Sequence, residues 1–213
     1  MTTWLHEQRV EAVHAVMRAS GAQSVLDLGC GEGDLLVRLL AEPQIERIVG
    51  IDICPNALER LRKRLATLEF EPLVEVELIH GSMTDATPAM ANYDCAVLLE
   101  VIEHVDPERL SVVERAVFGI MRSAAVVITT PNADFNPLFG VPQRRFRNLD
   151  HRFEWGRAKF RRWAQGVADR NGYRVACSDV AGNHPVFGGA SQMANFERSV
   201  AFEGAEHVPV PSY

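Results

Sequence analysis

The stretch VLDLGCGEGDLL, residues 25–36, decides how the chain is to be read. A β-favouring run from Val25 to Leu28 meets glycines at 29, 31 and 33 and then passes into an apolar pattern with helical spacing. A strand that turns through glycines into a helix delivers backbone N–H groups to a sheet edge, where the missing side chains let a ligand approach closely. The next strand, in IERIVGIDIC, closes on Asp52, at the reach where a carboxylate accepts hydrogen bonds from both hydroxyls of a ribose. Asp27 departs from a dinucleotide fingerprint, in which apolar residues precede the glycines and a pyrophosphate must be accommodated. A carboxylate there suits a cationic ligand, and the whole describes a nucleoside pocket.

Outward from this centre the alternation continues. LHEQRVEAVHAVMRA predicts a helix that covers one edge of the core and stops at Ser20-Gly21, so that residues 1–21 form an N-terminal helical segment. PNALERLRKRLATL predicts another, with Pro55 where a first turn tolerates it. VEVELIHG, YDCAVLLE and AAVVITT supply strands, PERLSVVERAVFGIM the helix between the last two, and GYRVACSDV and SQMANFERSVAF an antiparallel edge hairpin. The expectation is an α/β fold: a mostly parallel seven-stranded sheet with helices on both faces. At 213 residues and 47% apolar, one domain spanning 1–213 is expected. Residues 131–156 break the rhythm, being far longer than an ordinary connection, and long ordered loops at the carboxyl edge of such a sheet carry function.

Charge and cysteines narrow the setting. A net charge of −6 argues against non-specific coating of nucleic acid while permitting a local basic patch. Cys30, Cys54, Cys95 and Cys177 are scattered, with neither CxxC nor zinc-ligand spacing, which fits a reducing cytoplasm. No apolar run is long enough for a membrane span, and MTTWLHEQRV lacks the pattern of a signal peptide.

The second chemical centre is LLEVIEHVDPERL, residues 98–110. Glu100, Glu103 and His104 fall at a strand end, where they can hold a metal, move a proton or cap the following helix. With Glu100 ending the strand and Glu103 and His104 following on one helical turn, three and four positions later and on the same side, all three can converge on one ion. Carboxylates and imidazole without thiolate favour magnesium or manganese over structural zinc. His151, in LDHRFEW of the long loop, is the candidate fourth ligand, with Asp150 as the acceptor that orients it. Beside it Arg144, Arg145, Arg147 and Arg152 alternate with Phe146 and Phe153, a pattern suited to phosphate pairing and base stacking, although a solvated arginine face is the ordinary alternative. Trp155 reads as core, and Pro131-Asn132 as the rim of the site.

With its acidic Asp52 and the later HGSMTD, VLDLGCGEGDLL resembles the cofactor site of class I methyltransferases that use S-adenosylmethionine. That resemblance implies a Rossmann-like fold, Gly29, Gly31 and Gly33 along the cofactor loop, Asp52 on the ribose, and Ser82 and Met83 flanking adenine, with Asp27 in the same site. Across the whole chain LHEQR, DLGCGEG, LLEVIEHV, TTPN, DHRFEW and SQMA resemble the RNA 3′-terminal ribose 2′-O-methyltransferases. This second resemblance implies one divalent cation, Mn2+ or Mg2+, held by Glu100, Glu103, His104 and His151, which would also carry the catalysis. It implies an RNA 3′ end with free 2′-OH and 3′-OH as acceptor, methylated to protect that end. The general base stays open between His104 and a water on the ion. Bacterial relatives often carry an additional N-terminal half that works with an end-healing and ligating partner, and this sequence lacks it. Two rivals stand beside this expectation: a small-molecule O-methyltransferase acting on a vicinal diol or catechol, and an inactive RNA-binding scaffold.

Overall fold

The computed structural model describes residues 4–68 and 73–199. The predicted continuation of the final strand to Phe202 lies outside them, as do the ends of the predicted 1–213 span. The strands are β1 (Ser24–Leu28), β2 (Arg47–Asp52), β3 (Glu75–His80), β4 (Cys95–Leu99), β5 (Ala125–Pro131), β6 (Tyr173–Val180) and β7 (Ser191–Arg198). They form one seven-stranded sheet in the order β3-β2-β1-β4-β5-β7-β6. The first five run parallel, and β7 pairs antiparallel with both β5 and β6. The expected fold and edge hairpin are therefore present.

Helices α1 (Trp4–Ser20), α2 (Asp34–Leu39) and α3 (Pro55–Ala66) cover one face. There Val10, Val13 and Met17 of α1 pack with Leu35, Leu36 and Leu39 of α2 and Leu58 and Leu61 of α3. Helices α4 (Leu110–Glu114) and α5 (Arg157–Asn171) cover the other, through Leu110, Val113, Phe160, Ala164 and Val167. Burial on both faces is why β4 reads as a continuous apolar run rather than an alternating one, and why β1 does so except at the buried Asp27.

Sequential strands grow outward in both directions from β1, so the connections after β1 and β4 leave toward opposite faces and open a crevice at the carboxyl edge. The glycine loop, Asp52, Ser82, Glu100 and the 131–156 segment all follow the carboxyl ends of parallel strands and meet there.

Glu100 follows the end of β4 directly with φ +55, and Glu103 and His104 share one turn as expected, a 3-10 turn over Ile102–His104. One local expectation is corrected. The helix expected from PERLSVVERAVFGIM is a 3-10 turn, Pro107–Arg109, then α4, then a π-helical stretch, Arg115–Met121. That wider turn lets Ala116, Val117, Phe118 and Met121 all face the core.

The glycines of the loop are required for different reasons. Gly29 and Gly33 have φ +82 and +79, and a Cβ would lie 2.6 Å from Val101 Cγ2 and 2.3 Å from Leu61 Cδ1 respectively. Gly31 has φ +54 but a Cβ there would meet nothing within 4 Å. Gly33→Ala should therefore lose stability from both overpacking and backbone strain, about 2–4 kcal/mol. Gly31→Ala should lose only about 1–2 kcal/mol from the backbone term. Denaturant unfolding of the two variants checks the difference, and equal losses would show that Leu61 yields without cost.

Candidate active site

The crevice holds three adjoining cavities. One of about 570 Å³ is lined by Gly29, Asp52, Ile53, Ser82, Met83, Val101, Asp106, Arg109 and Arg152 among others. A smaller one of about 220 Å³ lies beneath the glycine loop, against Asp27, Gly29, Gly31 and Leu99. The third, about 630 Å³, is lined by Leu5, Arg9, Glu103, Pro131, Phe139, Val141, Arg147, Asn148 and His151. Glu100 lines all three, and His104 lines the first and third. A ligand that fills the first two cavities thus presents its end to the third.

Asp52 is positioned before any ligand arrives. The N–H of Gly31 donates to its Oδ2 at 2.7 Å and that of Cys54 to its Oδ1 at 2.8 Å. Each carboxylate oxygen keeps a second lone pair for a ribose hydroxyl. Asp27 is 2% exposed, and its Oδ2 has no hydrogen-bond partner in the protein. Burial, with the Asp52 charge adding to it, raises the Asp27 carboxyl to about 7. A buried acceptor without a donor, beside a cavity, fits a cationic group such as an amine.

The metal-type residues assemble next to it. Glu103 is fully buried; its Oε2 accepts from the Thr130 hydroxyl at 3.0 Å and its Oε1 has no partner. Glu100 Oε2 accepts from the Ser191 hydroxyl at 3.3 Å and lies 3.5 Å from Arg9 Nε, while its Oε1 is also without a partner. Burial holds both carboxyls above the usual carboxylate range, and at Glu103 the Glu100 charge adds to the effect. The rings of His104 and His151 meet edge to face with centroids 5.0 Å apart. Burial first, and then the neighbouring His151, hold His104 below its ordinary value, which favours the neutral imidazole that a metal requires. Glu103, His104 and His151 offer ligand atoms within 4.8 Å of one another; Glu100, which faces the same cavity, lies outside that group.

The long segment carries His151 into place. It contains a 3-10 stretch, Ala133–Phe139, and is bound to the strand-end loop by the N–H of Arg152 donating to the Glu103 carbonyl at 2.7 Å. His151 Nδ1 bonds Glu154 Oε1 at 2.6 Å, leaving Nε2 for the cavity. Glu154, not Asp150, is thus the acceptor that orients His151. Asp150 instead offers its backbone carbonyl to the His104 ring. Glu154 also accepts from Asn136 Nδ2 at 2.6 Å and from the Arg147 N–H at 2.8 Å, and despite burial these bonds and His151 keep its carboxyl below the usual range. Glu154 was missed as a partner because only folding reveals which carboxylate meets the ring, although its spacing three residues after His151 was legible.

The four arginines divide. Arg144, Arg145 and Arg152 are exposed around the segment. Arg147 is drawn inward: its guanidinium donates to the carbonyls of Asn132 and Ala190 and to Asn136 Oδ1. It therefore anchors the segment to the β5 end rather than standing free for phosphate. Phe146 is exposed, but Phe153 is core, 5% exposed and stacked on Trp155 with centroids 4.3 Å apart, so it offers no face to a base. Trp155 is core as expected. Sequence reasoning missed Arg9, Thr130 and Ser191, whose approach depends on helix α1 and strands β5 and β7. The four cysteines are free thiols, and among the described residues no helix is long and apolar enough to cross a membrane.

Comparison with known proteins agrees with this architecture. A methyltransferase-domain family matches residues 25–123. The methyltransferase domain of bacterial CtHen1 superimposes with a TM-score of 0.79 at 36% identity, covering 91% of this chain and 99% of that one. The small RNA methyltransferase HEN1 superimposes with a TM-score of 0.84 at 35% identity, covering 91% of this chain and 25% of that one. The mouse (Mus musculus) small RNA 2′-O-methyltransferase is 35% identical over 98% of this chain and 57% of its own length. The fold is that of an S-adenosylmethionine-dependent methyltransferase. Within that class the chain belongs to the small RNA 2′-O-methyltransferase (HEN1) family. It spans about half the length of the curated relatives it matches.

Asp27 gives the site a pH signature. Its carboxyl titrates near 3.8 when the chain is unfolded and near 7 when folded, so between those values the folded state binds the extra proton. Its contribution is complete below the unfolded value, and stability falls as pH rises from about 4 to about 7. Asp27→Asn should flatten this part of the dependence, read as the unfolding midpoint at intervals of pH. An unchanged slope would mean that Asp27 is ionised in the folded protein throughout.

Proposed function

We propose that this chain transfers a methyl group from S-adenosylmethionine to the 2′-oxygen of the ribose at the 3′ end of RNA, protecting that end in RNA repair or small-RNA stabilisation. The observation that carries the reading is the seam at Glu100 and His104, where the nucleoside cleft opens into a cavity holding buried carboxylates and two imidazoles. The family relationship supports the same acceptor chemistry.

The residues have distinct tasks. Asp52 holds the cofactor ribose, Ser82 and Met83 border the adenine, and the glycine loop and Asp27 receive the methionine end, with the orphaned Asp27 oxygen taking the amine. Glu100, Glu103, His104 and His151 fit a divalent cation: two unpartnered buried carboxylate oxygens and two imidazoles face one cavity. When bound, Mg2+ or Mn2+ would make an acceptor hydroxyl more acidic and fix its orientation. A neutral His104 imidazole has a single ring-nitrogen lone pair. That lone pair serves either the ion or the acceptor proton, not both. Exposed Arg144, Arg145 and Arg152 supply the positive rim that an RNA backbone requires, and they favour RNA over a small diol.

The direct test is methyl transfer from labelled cofactor, with Mn2+ or Mg2+, to RNA oligomers of defined ends. An end with free 2′-OH and 3′-OH should accept, whereas 3′-phosphate, 2′-deoxy and 3′-deoxy ends should not. Near-normal labelling of the 3′-deoxy end would remove the requirement for vicinal hydroxyls. Faster labelling of a catechol would favour the small-molecule reading, and RNA binding without transfer would favour a scaffold.

Glu154 supports this site by aiming His151. Glu154→Gln keeps the volume but removes the charge, and Mn2+ affinity should fall about 10–100-fold. Titration of the free Mn2+ resonance reads this independently of turnover, with S-adenosylmethionine affinity unchanged in parallel calorimetry. Undiminished Mn2+ affinity would reduce Glu154 to a loop brace.

A further inference from the structure

The third cavity is larger than its carboxylate and imidazole end alone accounts for, and its remaining walls are of another kind. At about 630 Å³ it exceeds what one ribose fills, and Leu5, Pro131, Phe139 and Val141 line it away from the ligand set. Phe139 is 43% exposed and lines this cavity. The Arg147 guanidinium sits 4.8 Å from its centroid and Phe135 5.2 Å away. Arg147 is itself fixed by the Asn132 and Ala190 carbonyls and by Asn136. Arg147, which lines the same cavity, and Phe135 thus brace the ring while part of it remains open. Cation–π bracing of this sort orders a platform before its partner arrives.

We propose that Phe139, backed by Arg147 and flanked by Val141 and Leu5, forms the subsite for the base of the terminal nucleotide; this rests on the RNA reading above. The ribose hydroxyls go to the Glu100, Glu103, His104 and His151 end, and the attached base lies against the apolar wall. Every base has a π-face, so a stacking platform of this kind accepts all four and favours the larger purines. The subsite also gives Arg147 a second task besides anchoring the segment. Its charge reaches the acceptor through the ring that it braces, not through a phosphate.

The test compares two RNA oligomers that differ only at the last position, one ending in adenosine and the other in 1-deoxyribose, which keeps the 2′- and 3′-hydroxyls but has no base. The wild-type protein should methylate the adenosine end about tenfold or more better in kcat/KM, as expected for one stacked base. In Phe139→Leu this ratio should collapse toward one, and in Phe139→Trp it should persist. Unfolding midpoints and S-adenosylmethionine affinity, unchanged in both variants, establish that the cofactor half is intact. Equal rates on the two ends for the wild-type protein, or a ratio that survives Phe139→Leu, would overturn the subsite while leaving RNA methylation standing. Failure to methylate either end would defeat the RNA reading and the subsite with it.

Discussion

Two carboxylates drawn out of water just after β4, Glu100 and the fully buried Glu103, are the constraint around which the site is organised. Burial costs free energy in both, and at Glu103 the Glu100 charge adds to it. The protein offsets this only in part, with Arg9 from α1 and hydroxyls from Thr130 and Ser191. One oxygen of each stays without a partner. An apolar core would have been more stable there; the arrangement makes sense as a receptor for positive charge.

The long segment after β5 is built to meet that receptor. Its backbone reaches the strand-end loop through Arg152 and Glu103, and its interior is held by a closed set of bonds among Asn136, Arg147 and Glu154. The charged groups inside it therefore serve its shape. Their satisfied bonds hold His151, through the Glu154 side chain, with its ring edge to face against that of His104. A segment of this length without regular helix is affordable in entropy only because these bonds fix it.

The two halves of the crevice differ in how they obtain order. On the cofactor side, main-chain N–H groups fix Asp52 directly, and glycine permits the turn. On the acceptor side, order comes from side chains on elements distant in sequence: α1, β4, β5, the long segment and β7. The cavities meet at Glu100, where φ +55 turns the chain.

Much of this was legible in the sequence. Strand–glycine–helix patterning followed by an acidic strand end reports local backbone requirements, and these hold wherever the unit folds. The apolar periods of β1 and β4 likewise report two-sided burial. Glu100, Glu103, His104 and His151 were legible as residues of ligating type, and the structure brings Glu103, His104 and His151 within reach of one another. What the sequence left undecided were partnerships across space. Glu154 rather than Asp150 orients His151; Arg147 turns inward; Phe153 packs in the core while Phe139 remains open. Spacing along the chain sets which neighbours are within reach, but residues outside regular helix or strand have no fixed period. Only the packing of the 131–156 segment against β5 and β7 determined which side chains face the cavity and which are spent holding it in place.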